Sequence, residues 1–122
     1  MSVLDASAVL AYLSGEAGAD VVGEILESGG AHISAANWSE VAQKSLAAGK
    51  DWISASALLD SFDVAVDPVT RQDAEWAAGR WRRGENLSLG DRLCLALAER
   101  LGAEALTADS QWAGEPRARL IR

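Results

Sequence analysis

The chain is poor in cysteine, proline and lysine: one Cys, two Pro and two Lys in 122 residues. A single thiol, Cys94, excludes an internal disulfide and any multi-cysteine zinc site. No apolar run approaches the ~18 residues that a membrane span needs, so no membrane role is expected. The chain opens Met-Ser-Val-Leu-Asp without a basic stretch ahead of an apolar one. No secretory signal is therefore expected, and a reducing cytoplasm is the expected compartment. No internal repeat, low-complexity tract or linker is apparent. Basic residues are also scarce, 11 against 18 acids for a net charge of −7. That balance argues against holding nucleic acid by bulk positive charge. The deficit is uneven: residues 1–70 carry ten acids against Lys44 and Lys50 alone, whereas residues 71–122 carry nine arginines and eight acids.

What is present is the composition of an ordinary globule, 49% hydrophobic and 24% charged, of a length suited to one domain spanning 1–122. Short apolar runs alternate with helical patterns. Ser2–Leu4, Ala31–Ser34, Asp63–Val66, Ala105–Thr107 and Ala118–Ile121 read as four or five short strands. Between them, helices are predicted over Ala6–Leu13, over 19–28 stopped by Gly29-Gly30, and over Ala36–Ala48. Another is capped by Asp51, another runs from a Thr70 cap to Arg83 and Gly84, and the last runs from Ser88 to Leu101 and Gly102. Strands separated by helices imply an α/β sandwich with a mainly parallel central sheet, in which ligands bind beyond the carboxyl ends of the strands.

Four acids fall at that edge. Asp5 ends the first strand, Glu40 lies early in the helix after the second, Asp91 is in the first turn of the helix from Ser88, and Asp109 lies just past the strand ending at Thr107. Each has a local explanation. Asp5 can cap the first helix and Asp109 a short turn through Trp112, Asn37–Glu40 and Ser88–Asp91 have capping-box spacing, and Glu40 can pair with Lys44. Jointly, the local account needs four independent caps that happen to cluster. It also places Asp91 above the apolar stripe of Cys94, Leu95 and Ala98, where a carboxylate needs a partner. No Lys or Arg serves all four acids, so a bound cation is the economical partner. An all-oxygen donor set suits Mg²⁺ or Mn²⁺.

The stretches Val3-Leu4-Asp5-Ala6-Ser7-Ala8, Ser34-Ala35-Ala36-Asn37-Trp38-Ser39-Glu40-Val41, Leu87-Ser88-Leu89-Gly90-Asp91-Arg92-Leu93-Cys94 and Leu106-Thr107-Ala108-Asp109 resemble the PIN-domain nucleases, most closely the VapC-type toxins of bacterial toxin–antitoxin pairs. The resemblance runs from about Ser2 to Trp112. It implies a PIN-like three-layer α/β sandwich. In it, Asp5, Glu40, Asp91 and Asp109 would be the catalytic, Mg²⁺- or Mn²⁺-binding quartet of an RNA-cleaving hydrolase, with Ser7 and Thr107 as hydroxyls beside the metal. The chemistry so implied is in-line attack of a metal-activated water on a phosphodiester. The one histidine, His32, sits in a strand and supplies no acid–base pair for a metal-independent route. A homodimer and a small cognate antitoxin are the partners the resemblance implies, beside the RNA substrate.

Arg80, Arg82, Arg83 and Arg92 are candidate RNA contacts, set against a solvated helix end. Trp38 and Trp112 are placed either to stack on bases or to pack in a core or dimer interface. Trp52, Trp76 and Trp81 read as packing residues, and Cys94 as an inert core thiol. Tyr12 and Leu13 suit an interface or the core equally. A phosphoaspartyl enzyme of the dehalogenase type would want an acid at position 7. A receiver domain would want a paired acid before Asp5 and a late lysine, and the chain has none of these. The remaining alternative is a non-catalytic module whose acids hold a structural cation or a basic partner peptide.

Overall fold

Five strands of only three or four residues each pair into a single sheet of order β3-β2-β1-β4-β5, every neighbour parallel. The computed structural model describes residues 1–122. In chain order the elements are β1 Ser2–Leu4, α1 Ala6–Ser14, α2 Ala19–Glu27, β2 Ala31–Ser34, α3 Ala35–Ala47, α4 Trp52–Ser61, β3 Ala65–Asp67, α5 Arg71–Arg80, α6 Leu89–Leu101, β4 Glu104–Thr107, a 3-10 turn Ser110–Trp112, and β5 Ala118–Leu120. The central strands bury both faces, as parallel sheets require. No helix is long and apolar enough to cross a membrane.

Side-chain alternation along β1 and β4 divides the core in two. Leu4 and Leu106 pack with Val9, Val22, Leu26, Ile33, Val41 and Leu59, beneath α1 to α4. Val3 and Ala105 point the other way, onto Cys94, Leu95, Leu97 and Ala98 of α6 and the wholly buried Trp112. The result is the expected three-layer sandwich, with β1 central. Its carboxyl end, which leads into Asp5, is therefore flanked by elements from both halves of the chain. The first core also closes over Gly18, which at φ 93° carries no Cβ that would meet Ile121.

Two sequence expectations shift. The helix predicted through Arg83 ends at Arg80, because Trp81 is extended (φ −62°, ψ 137°) and Arg80 turns back to ion pairs with Glu85 and Glu115. Gly84 consequently serves a turn in the loop rather than a helix end. The third strand starts at Ala65, not Asp63, which adopts a left-handed turn conformation (φ 56°).

Helix α5 is fixed by a complete capping box between Thr70 and Asp73. The same Asp73 carboxylate takes two bonds from Arg100, Nε to Oδ1 at 2.9 Å and Nη2 to Oδ2 at 3.0 Å, which ties α5 to α6. Burial pushes Asp73 up, but the Arg100 bonds and charge and the cap bonds outweigh it, leaving the carboxyl below its ordinary value. A depressed folded-state value stabilises the fold above the unfolded carboxylate range, and that stability is lost as pH falls through the folded value. Arg100→Leu, which strands the carboxylate, is expected to lower unfolding free energy by about 3 kcal/mol in urea melts at pH 7. The deficit should shrink at acid pH, whereas a pH-independent deficit would assign the loss to packing alone.

Candidate functional site

Asp5 stands at the carboxyl end of β1, where its N–H bonds the Leu106 carbonyl of β4. The residue is 3% exposed. It occupies the cap position of α1, yet its side chain makes no cap bond. Instead Oδ2 accepts the Ser7 hydroxyl at 2.5 Å and the Thr107 hydroxyl at 2.9 Å. Ser7 Oγ in turn accepts the Ala108 N–H, and Thr107 Oγ1 accepts the Asp109 N–H. Each hydroxyl has one proton and directs it at Asp5, so the 3.2 Å separation between the two oxygens carries no bond of its own. Ser7 and Thr107 thus clamp Asp5 and link it to the backbone of Asp109.

The other acids are also partly used by the fold. Asp91 Oδ2 accepts the Ser88 N–H in a complete capping box. Asp109 Oδ1 accepts the Gln111 N–H and caps the 3-10 turn. The expected box at Asn37–Glu40 does not form, since α3 begins earlier under a Ser34 cap. Glu40 lies inside that helix, with Oε2 at 3.7 Å from Lys44. In every case only one carboxylate oxygen is committed. Asp5 Oδ1, Asp91 Oδ1, Asp109 Oδ2 and Glu40 Oε1 accept no hydrogen bond from the protein.

Three of the four acids share one electrostatic field. Burial pushes Asp5 up to about 6; the Ser7 and Thr107 bonds oppose that, and the charges of Asp91 and Glu40 reinforce it. The Cys94 thiol is likewise raised, by burial first and then by Asp5, Asp91 and Glu40, so it is no nucleophile. Asp109 joins the group through Thr107 rather than through charge. No three of these carboxylates close into a ready-made metal cage, as mutual repulsion between uncompensated anions dictates.

The residues nevertheless fit a hard cation. The donors are all oxygen, each acid keeps one oxygen free, and no cation balances Asp5. Beside these donors, the wholly buried Asn37 donates Nδ2 to the Gly90 carbonyl at 3.2 Å and leaves its Oδ1 without a partner. Sequence reasoning assigns no site role to Asn37 or Gly90. The signal available is that Asn37 precedes Glu40 by three residues, and so shares its helix face.

The arginines divide. Arg80 is bound to Glu85 and Glu115, and its guanidinium is held well above its ordinary value by those hydrogen bonds. Arg92 donates Nη1 to the Ala77 carbonyl at 2.7 Å, and its Nε is buried without a partner. Both are tied to the fold by these bonds, Arg80 more completely than Arg92. Arg82 bonds only the Arg80 carbonyl, and Arg83 lies over the Trp81 ring at 5.6 Å. Trp112 is fully buried and so cannot stack on a base, whereas Trp38 packs edge-on against Trp52. Trp81, expected to pack, is 52% exposed. Tyr12 and Leu13 pack against the first core.

The PIN domain family matches residues 2–114. Ribonuclease VapC42 of Mycobacterium tuberculosis and VapC ribonuclease Mb2780c of Mycobacterium bovis are each 35% identical over 114 residues, covering 85% of this chain and 87% of theirs. A solved toxin–antitoxin complex from Klebsiella pneumoniae has a chain of the same fold, with a TM-score of 0.79 at 22% identity over 100% of this chain and 98% of that one.

An acid whose folded-state value is raised from 3.8 to about 6 binds its proton more tightly folded than unfolded. Its contribution therefore favours the fold at low pH, declines as pH rises from about 4 to about 6, and stays lost above. Asp5→Asn, whose amide oxygen can still accept both hydroxyls, removes that dependence. In metal-free buffer the variant is expected to gain on the parent by up to about 3 kcal/mol between pH 4 and pH 7 in denaturant titrations. A difference that does not change with pH would show that Asp5 is not the strained acid.

Proposed function

The chain belongs to the PIN-domain family, and from that premise we propose that it is a divalent-metal-dependent endoribonuclease, the toxin of a toxin–antitoxin pair. The observation that carries the reading is the set of four carboxylates, each with one oxygen held by the fold or by Lys44 and the other free. The relatives named as VapC ribonucleases and the structural neighbour described as a toxin–antitoxin complex support the same assignment.

Asp5, Asp91 and Asp109 would hold Mg²⁺ or Mn²⁺, with Glu40 taking a second ion or orienting the attacking water. When bound, the ion offsets the carboxylates' mutual repulsion and supplies Lewis acidity toward a phosphodiester. The protein's own part is positional. Ser7 and Thr107 fix the direction of the Asp5 carboxylate through Oδ2 and leave Oδ1 free of hydrogen bonds. The Ser88–Asp91 box sets the Asp91 side chain by the same backbone bonds that start α6. With the acids so neutralised, a polyanion would be able to approach a protein of net charge −7.

Of the four candidate arginines, Arg82 and Arg83 are the least engaged by the fold, beside the exposed Trp81 in the loop that leads to Ser88. With so few cations free, affinity comes from a handful of contacts rather than a basic surface. A small antitoxin bearing a basic segment complements the uncompensated acids, and a homodimer is the assembly in keeping with the family resemblance.

Labelled RNA incubated with Mn²⁺ tests the reading. The parent is expected to cleave, and Asp5→Asn to lose more than the ~10–100-fold typical of altering a ligand's supporting partner. Equal cleavage by both would overturn the site. Mn²⁺ binding without cleavage of any RNA would instead make the chain a binding module. Removing Arg82 and Arg83 together is expected to raise KM and to flatten the log-affinity against log-salt slope by about 0.7 per arginine. Arg119→Ala, which disrupts a pair with Glu104, serves as the control.

A further inference from the structure

Helices α3 and α6 each bring one acid to the site, and a single side-chain bond joins them there. Asn37, 0% exposed, donates Nδ2 to the Gly90 carbonyl at 3.2 Å. Its position is one turn before Glu40 on α3, and its acceptor immediately precedes Asp91 on α6. The amide orientation is fixed, since the reverse would set two oxygens against each other. Gly90 itself is a close-approach position. A Cβ built there would lie 2.5 Å from Glu40 Oε1 and 3.6 Å from Asn37 Nδ2. The free oxygen of Glu40 therefore rests against the bare backbone of the residue beside Asp91.

Folding does not account for this asparagine. Its Oδ1 is buried without a partner, which costs stability. The Gly90 carbonyl, within the first turn of α6, keeps its intrahelical acceptor role toward the residue four positions on whether or not Asn37 is present. A leucine of similar size would fill the space with no orphaned atom.

We infer that Asn37 and Gly90 form a latch that sets the spacing between Glu40 and Asp91, the two acids whose charges reach Asp5, and so keeps both within reach of a cation that draws the carboxylates together. Asn37 is a positioning residue and not itself a ligand. This inference rests on the metal-dependent reading of the quartet and adds to it the device that holds its two helix-borne members in register. Gly90 is required because any side chain there would push Glu40 aside, and Asn37 because no other side-chain hydrogen bond joins the start of α6 to α3.

The test is Mn²⁺ binding by the RNA-free protein, measured by electron paramagnetic resonance and calorimetry well below each variant's melting temperature. Asn37→Leu and Asn37→Asp both lose the latch bond, the second with almost no change in shape. Each is expected to weaken Mn²⁺ about tenfold or more, the range for residues that hold a ligand in place. Gly90→Ala separates site from stability. Alanine favours a helix over glycine, and Glu40 can swing away at little cost, so the melting temperature should hold or rise while Mn²⁺ affinity falls. Unchanged affinity in Asn37→Leu and Gly90→Ala would overturn the latch while leaving the metal site intact. Tighter binding by Asn37→Asp would also overturn it, by making position 37 a direct ligand. Failure of the parent to bind Mn²⁺ at all would remove the metal reading, and the latch with it.

Discussion

A carboxylate buried at the carboxyl end of the central strand, with hydroxyls rather than a cation as its partners, is the constraint around which this fold is arranged. Asp5 is held at about 6 chiefly by burial, and the Asp91 and Glu40 charges push in the same direction as that desolvation. An ordinary core would resolve this with an arginine or an apolar substitution. Here the hydroxyls of Ser7 and Thr107 do no more than fix the direction of one oxygen. Because β1 lies between β2 and β4, the strained group sits where α1, the start of α6 and the end of β4 meet. That is also the edge, beyond the carboxyl ends of the strands, at which parallel α/β sheets bind ligands.

Capping and ligand binding look like rival explanations of the acids in the sequence, and the structure shows that they are compatible. A carboxylate has two oxygens. At Asp91 and Asp109 one accepts a backbone N–H and the other does not. A cap bond restricts the side chain to one rotamer, which is what a metal ligand needs if its free oxygen is to point consistently into a cleft. The cap is thus the means by which backbone geometry reaches the site. Glu40 lacks such a bond and is the longest and most flexible of the four, which is why its placement depends on what packs beside it.

The order of strands and helices, the caps at Thr70 and Ser88, and the four acids at one edge are all legible in the chain, because each is written in local signals: apolar period, cap residues, and glycine at helix ends. The features that are not legible depend on partners distant in sequence. Helix α5 stops at Arg80 because that side chain reaches Glu115, thirty-five positions on, and no periodicity records such a pairing. Trp81 reads as a packing residue by composition but lies just past that unforeseen helix end, and so is turned out to solvent. Asn37 reads as the start of a capping box. Its actual bond, to Gly90, spans 53 positions and exists only once α3 and α6 are packed.

The charge asymmetry between the halves is likewise changed by folding. The second half carries nine arginines, but six are ion-paired, all except Arg122 with acids of that same half. The half that looks basic in sequence therefore spends most of its cations on its own acids, one joining α5 to α6 and another β4 to β5. The acids of the first half gain little from them. Asp5 and Glu40 remain uncompensated but for a distant Lys44, and α6 adds Asp91 to the same field. Asp20, Glu24, Glu27, Asp51, Asp60 and Asp63 are also without an ion pair, but they are scattered, whereas Asp5, Glu40 and Asp91 act on one another at a single strand edge. On the proposed metal-dependent reading, that edge repels nucleic acid until a cation is bound, so the scarcity of basic residues that seems to exclude RNA becomes a reason for its access to depend on metal.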